Sequence, residues 1–478
     1  MNAFLRQKWV PFLLWSLATG LAAWYKLSFH ELWKDEWQAW LLATKPDTLS
    51  EVFKMLPLEG HPPLWYLIQR GFHISLVSAG ISLPGEQAIQ LLHLAIYSGS
   101  LFILLVCFRL PLWMRLGFAL TYFFGFEYGI VNRGYALVML LGFLLSLYAV
   151  DFKKHTALCA ALLFMLCMSE VYGLFMSLSF AFFMAMQQQE GAGLKKLLLL
   201  ASSLSGSFVF LLLLTSPTAM GTYTLHQFSA FDWLSFVRSF QSLLVNVFWV
   251  GTVHTVQVGI SVFGLLASTA ILFILWFYFR QNKRLLTTYA VYFMPMFFFT
   301  SLVYPGGLRQ WGMHLVFLVM MLQLDGFRFS ALRGKLMGGF IISILLFHLP
   351  FNARILMRDY HFPFSNSIKA GRYLKEQIGK DAPVFVVNKF FCTPVAGYAD
   401  RALYSFPDGK QFTYFRWREK LYIPDIRDLI YQKNRMGVSE LLLLSYKPLD
   451  LLKYPGLKTV ARFDQYNIRQ ENYYLYKY

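Results

Sequence analysis

Charge is what this sequence has least of. Of its 478 residues only 14% are Asp, Glu, Lys or Arg, where a soluble chain carries about 25%. Hydrophobic residues make up 57% and aromatic residues 18%. A single water-soluble core cannot bury that much apolar surface, whereas a bilayer solvates it, so an ordinary soluble globule is excluded. Acidic residues are the scarcer sign, 25 against 43 Lys plus Arg, for a net charge of +18. The basic residues sit between apolar runs and in the last quarter of the chain. They form no aromatic-interleaved stripe, so nucleic acid is not an expected partner. Cysteine is also rare. Cys107, Cys159 and Cys167 fall inside apolar segments, where a thiol behaves as a small hydrophobe, and Cys392 stands alone in the polar tail. That excludes a disulfide framework, and no Cys/His cluster has structural zinc spacing. There is no Asn-X-Ser/Thr sequon, which agrees with a bacterial origin. Arg6 and Lys8 precede an apolar run without a small-residue cleavage site, which reads as a retained first span rather than a signal peptide.

What is abundant is apolar sequence of spanning length. Runs occur near 10–29, 87–108, 116–131, 134–151, 156–172, 173–188, 197–216, 256–279, 285–303, 311–325 and 336–352. Lys and Arg fill alternate gaps, at Arg6 and Lys8, Arg109 and Arg115, Lys153 and Lys154, Lys195 and Lys196, Arg280 to Arg284, and Arg328 to Lys335. The positive-inside rule puts these groups in the cytoplasm and predicts about eleven transmembrane helices, N-terminus in and C-terminus out. The stretches 62–80 and 234–250 must then not span, because counting either one alone would turn every later basic cluster outward. Their polar residues suit outward juxtamembrane helices lying along the interface. The expected architecture is an α-helical polytopic membrane domain over 1–352 and a small extracytoplasmic α/β domain over 353–478. In the latter, helices are expected at Ser367–Ile378 and Pro424–Met436, with strand-like runs at Pro383–Asn388 and Ser439–Ser445.

The outward segments hold the unusual polar residues. The first reads His30-Glu31-Leu32-Trp33-Lys34-Asp35-Glu36-Trp37, followed by Glu59-Gly60-His61-Pro62-Pro63-Leu64-Trp65-Tyr66. Carboxylates just beyond a span are costly if they dip toward lipid, and paired prolines stiffen the backbone that aims His61 and Trp65. A third outward element reads Glu127-Tyr128-Gly129-Ile130-Val131-Asn132-Arg133-Gly134-Tyr135-Ala136-Leu137.

Together these elements resemble the signature of GT-C membrane glycosyltransferases. The nearest relatives look like the protein O-mannosyltransferases (glycosyltransferase family 39) and the bacterial transferases that move sugars or aminoarabinose from undecaprenyl phosphate. The resemblance covers the first third of the chain; the third element is looser, with extra residues between Glu127 and Arg133. It implies a GT-C fold in the bacterial inner membrane and a polyprenyl-phosphate sugar as donor. The acceptor would be an extracytoplasmic protein, glycolipid or polysaccharide. Asp35 would be the base that takes the acceptor's proton, with Glu36 positioning it or the sugar. Arg133 and Arg309 are the expected holders of the departing phosphate, with Lys34 in reserve. His61, Trp65, Glu127, Tyr135 and Glu170 are expected to line the substrate cavity. Some relatives hold a divalent metal ion near this loop, for which His61, Glu59 and Glu127 are possible ligands.

Plainer roles stand beside these. Arg309 at the outer mouth serves equally to snorkel to headgroups, and Glu170 to sit as an interfacial carboxylate. His226 and Asp232 read as solvated loop residues. A transporter or flippase for lipid-linked sugars, or a non-catalytic scaffold of envelope polysaccharide assembly, is the alternative function. A transporter should carry midplane charges and paired broken helices. Here the ionisable residues gather toward one face, and the Asp35-Glu36 pair that a scaffold could lose is present.

Overall fold

The computed structural model describes residues 2–187, 191–214, 233–251, 261–327, 332–416 and 422–478. His226 and Asp232 lie outside these. The contacts divide the chain into two compact units. The first comprises Met1–Ala23, Gly60–Trp65 and His93–Ile355; the second comprises Trp24–Glu59, Tyr66–Leu92 and Leu356–Tyr478.

In the first unit the apolar runs fold as helices. Among the described residues, five helical stretches are long and apolar enough to cross a membrane by length and composition: Gly85–Cys107, Gly193–Leu213, Val262–Phe279, Lys283–Leu302 and Leu332–His361. Shorter apolar helices are Tyr135–Tyr148, Thr156–Cys167 and Val171–Ala185. Local chemistry sets several ends. Ser261 caps Val262–Phe279 through a bond from Gly264 N (2.9 Å), and Asn282 caps Lys283–Leu302 through Leu285 N (3.3 Å). Gly326, with φ of 64°, closes Met313–Asp325 in the left-handed conformation.

Two stretches differ from expectation. The run near 116–131 is not one helix. It forms Leu112–Ala119 and then a single π-turn, Phe123–Glu127. Such wide turns let one extra residue into the helix and re-aim the side chains that follow, and this one carries Glu127. The stretch 234–250 does form a helix, Trp233–Phe248, but its second half is not a surface face: Gln241 to Phe248 are all buried. Polar side chains meet its main chain there: His314 Nδ1 lies 2.9 Å from Leu243 O, and His348 Nε2 lies 2.8 Å from Val247 O. Val247 is in the last turn, whose carbonyls need such partners when a helix end is buried. The helix's own Gln241 donates to Ser261 O at 2.8 Å.

The second unit contains the α/β part. Six strands, β1 (Val384–Val386), β2 (Leu403–Ser405), β3 (Gln411–Phe412), β4 (Leu442–Ser445), β5 (Lys458–Phe463) and β6 (Tyr473–Lys477), form one sheet of order β3-β2-β1-β4-β6-β5. β1 pairs in parallel with β2 and β4; the other pairings are antiparallel. The helix Lys389–Ala399 connects β1 to β2, and the helix Ile426–Met436 leads from β3 to β4. The parallel connections, β1 to β2 and β2 by way of β3 to β4, cross the sheet in opposite directions, so two right-handed crossovers must use opposite faces. The cores agree. Val384, Val386, Leu403 and Leu444 pack with Val395, Ala396, Ala370 and Leu374 on one side. Phe385, Leu441 and Leu443 pack with Leu429 on the other. The expected helices and strand-like runs are present as Ser367–Gln377, Ile426–Met436, β1 and β4. The helix Lys389–Ala399 and strands β2, β3, β5 and β6 had no counterpart in the sequence reading.

Candidate functional site

Asp35 sits in the first turn of the helix Lys34–Thr44, half-buried, where a carboxylate complements the positive end of the helix. Glu36, one residue on, is wholly buried and doubly engaged. Its Oε2 accepts the Trp33 N–H at 2.9 Å, which satisfies a helix-start donor, and its Oε1 lies 3.4 Å from His30 Nε2. His30 Nδ1 in turn lies 3.3 Å from Asp359 Oδ2. Burial alone would push the His30 imidazolium pKa down. The flanking Asp359 and Glu36 carboxylates override that and hold it up at about 9. Gln90 Nε2 donates to the carbonyls of Lys26 and His30, both at 3.0 Å, fixing the chain on entry to this turn. Asp35 thus stands at the edge of a buried acid–imidazole–acid row that immobilises its helix.

Lys34 stays within the same unit. Its Nζ is 3.8 Å from Glu471 Oε1 and lies over the rings of Phe390 (4.4 Å) and Phe391 (4.6 Å). Burial raises the Glu471 carboxyl to about 7, against the pull of Ser365 and Lys34. Burial likewise raises Glu31 to about 7.

In the first unit, His61, Arg133 and Glu170 come together. Gly60, with φ of 71°, turns the chain left-handed just ahead of His61, a conformation that favours glycine. Pro62 and Pro63 then carry it into a helix whose Leu64 N–H bonds to Met168 O at 3.0 Å. That pins His61 beside the 168–170 turn. His61 Nδ1 is 3.0 Å from Glu170 Oε2, and Arg133 Nη2 is 3.4 Å from His61 Nε2. A guanidinium can only donate. Nε2 is therefore the acceptor and Nδ1–H donates to Glu170, which fixes the imidazole tautomer. Trp65 is buried edge-on to His93, with centroids 6.3 Å apart, and Gly134 faces both Trp65 and Glu170. Tyr135, wholly buried, lies within Coulombic reach of Glu170, Arg133 and Arg309. Glu127 leaves its π-turn to accept from Tyr122 OH (2.6 Å) and faces Arg309 Nε at 3.9 Å, while Tyr128 OH bonds to Arg309 O at 2.6 Å.

The possible metal ligands are engaged elsewhere: His61 with Glu170, Glu127 with Tyr122 and Arg309, and Glu59 Oε1 with Gln38 Nε2 at 2.7 Å. Among the described residues no three His, Cys, Asp or Glu side chains gather as a metal site. That donor set does not fit a resident ion. Sequence reasoning missed His30, Asp359 and Glu471. His30 stood in the quoted first loop, but nothing local marks Asp359, 329 residues away, as its partner.

No family model matches the chain, and no curated protein matches it. Its fold, however, is the GT-C type. Two crystal structures of ArnT from Cupriavidus metallidurans share it. The apo form aligns over 99% of this chain and 98% of its own, with a TM-score of 0.56 at 11% identity. The form bound to undecaprenyl phosphate aligns over 98% and 97%, with a TM-score of 0.52 at 10% identity.

Proposed function

We propose that this protein is a polytopic inner-membrane glycosyltransferase that moves a sugar from a polyprenyl-phosphate donor to an extracytoplasmic acceptor. What carries the reading is the fold shared over nearly the whole chain with ArnT, one of whose structures holds undecaprenyl phosphate. In this reading the N-terminus is cytoplasmic and the C-terminal α/β part extracytoplasmic. The acceptor hydroxyl attacks the anomeric carbon, its new C–O bond forming as the sugar–phosphate C–O bond breaks. The lipid phosphate leaves with the bonding electron pair, and the hydroxyl proton passes to the Asp35 carboxylate. A phosphate is already a good leaving group, so a base is needed more than an acid. Glu36 and His30 hold the helix that presents Asp35. Arg133, aligned by His61 and Glu170, and Arg309, beside Glu127, supply donors for the departing phosphate.

The test compares wild type and Asp35→Asn in lipid nanodiscs, following radiolabelled sugar from undecaprenyl-phosphate donors into a membrane extract. Thermal melts check folding. Transfer by wild type should fall by about a hundredfold or more in the variant, as loss of a general base requires. Equal activity removes Asp35 as the base. Donor binding without transfer from any donor would favour a transporter or scaffold and overturn the transferase.

A further inference from the structure

The α/β sheet contains a crevice that the proposed chemistry has not used. In open α/β sheets a crevice opens outside the carboxyl ends of two neighbouring parallel strands whose following connections leave toward opposite faces. Here those strands are β1 and β2: the chain after β1 enters the helix Lys389–Ala399 on one face, and the chain after β2 first pairs back as β3 and then reaches the helix Ile426–Met436 on the other. A cavity of about 390 Å³ lies at that point. Its walls are the residues that leave β1 and β2, together with Phe415 and Tyr422. The volume is that of a small-molecule site, about 300–1,000 Å³.

The lining has two characters. Phe406, Phe415 and Tyr422 give aromatic surface; Asn388, Lys389, Ser405 and Asp408 give hydrogen-bonding groups of both kinds. A sugar ring presents the same pairing, an apolar C–H face and a rim of hydroxyls that both donate and accept. A bare phosphate would meet the Asp408 carboxylate. The polar groups are held in place. Asn388 caps its helix through Phe391 N at 3.3 Å, and Ser405 Oγ donates to Asp408 Oδ1 at 3.1 Å.

The crevice is also wired to the helix that carries Asp35. Gln38, one turn beyond Asp35, holds both main-chain groups of Phe415: its Nε2 donates to Phe415 O at 2.8 Å and its Oε1 accepts from Phe415 N at 3.0 Å. Positions three apart share one face of a helix. Lys34 covers Phe390 and Phe391, which follow directly on Asn388 and Lys389. We propose that the crevice at the carboxyl ends of β1 and β2 binds a saccharide unit of the acceptor and delivers its hydroxyl toward Asp35. This rests on the transferase reading for its purpose, though not for binding itself.

The test uses the full chain in deuterated-lipid nanodiscs with methyl glycosides of glucose, mannose, galactose, N-acetylglucosamine and glucuronate as probes. Binding is read by saturation transfer, and affinity by titration. At least one glycoside should bind wild type, and Tyr422→Ala and Phe415→Ala should each weaken it about tenfold, the size of a lost aromatic contact. Lys389→Gln serves if Phe415→Ala fails to fold. The same variants should raise the acceptor KM without changing donor binding. The proposal is overturned if no glycoside binds wild type, or if binding is untouched in every crevice variant that melts as wild type does. Glycoside binding by a wild type that transfers from no undecaprenyl-phosphate donor supports the crevice while removing the transferase reading.

Discussion

His30 shows how single residues here depend on company from far along the chain. Flanked by Glu36 and Asp359, it holds its proton to about pH 9 although buried. The folded-state pKa is raised above the ordinary 6.5, so its contribution to stability is complete below pH 6.5 and is lost as pH rises through 9. Glu31 and Glu471, raised by burial to about 7 from 4.5, act in the same direction over the lower range. The stability that wild type holds over His30→Gln should therefore shrink as pH rises from about 6.5 to 9. Thermal melts of the two proteins across that range check this, and a difference that grows with pH would contradict it. Asp35 itself was legible as a carboxylate in a family-like motif. The buried row behind it was not, because hydrogen-bond partners 329 residues apart leave no mark in local sequence.

Elements meet in this chain through small residues at defined places. The helix Lys389–Ala399 packs on the helix Lys34–Thr44, and Gly397 lies against the Trp37 indole with no room for a Cβ. Trp37 also meets the Tyr398 ring edge-on at 5.0 Å, and Tyr398 OH closes on the main chain of Leu32, accepting from its N–H at 2.7 Å. Gly397→Ala should thus destabilise the fold by about 1–3 kcal/mol, the usual cost of forcing a methyl into a filled contact. A melt of that variant indistinguishable from wild type would show that the two helices separate freely. At this scale periodicity and composition placed the long apolar helices well, and Ser367–Gln377 within a residue. They missed the helix Lys389–Ala399, whose Phe-Phe-Cys-Thr-Pro sequence carries no polar face to betray it. They also missed the π-turn at Phe123–Glu127, since one extra residue in a helical turn does not alter an apolar run.

At the scale of the whole molecule, the C-terminal α/β part shares its compact unit with earlier segments of the chain. Its compact unit includes Trp24–Glu59 and Tyr66–Leu92 as well as Leu356–Tyr478. One core cluster joins Trp37, Trp40, Leu41 and Ile89 to Tyr398. Residues 353–478 expressed alone should leave that apolar contact bare and associate or precipitate, as large exposed patches do. A monomeric, cooperatively melting fragment on size-exclusion chromatography and calorimetry would disprove this. An α/β part that shares its core with the helix of Asp35 also fits a role in presenting the acceptor rather than tethering it.

The sequence by itself determined the solvent this chain folds in, the positions of its long apolar helices and the motifs that carry the GT-C resemblance. Hydropathy and short-range spacing are local properties, and local properties survive in one dimension. Only the tertiary structure decided that His61 bonds Glu170 and Arg133, that Glu36 caps its own helix and faces His30, and that the segments leaving β1 and β2 line a crevice. Each depends on distant segments meeting. Which partner a buried polar group finds is set by the packing that excludes water from the others.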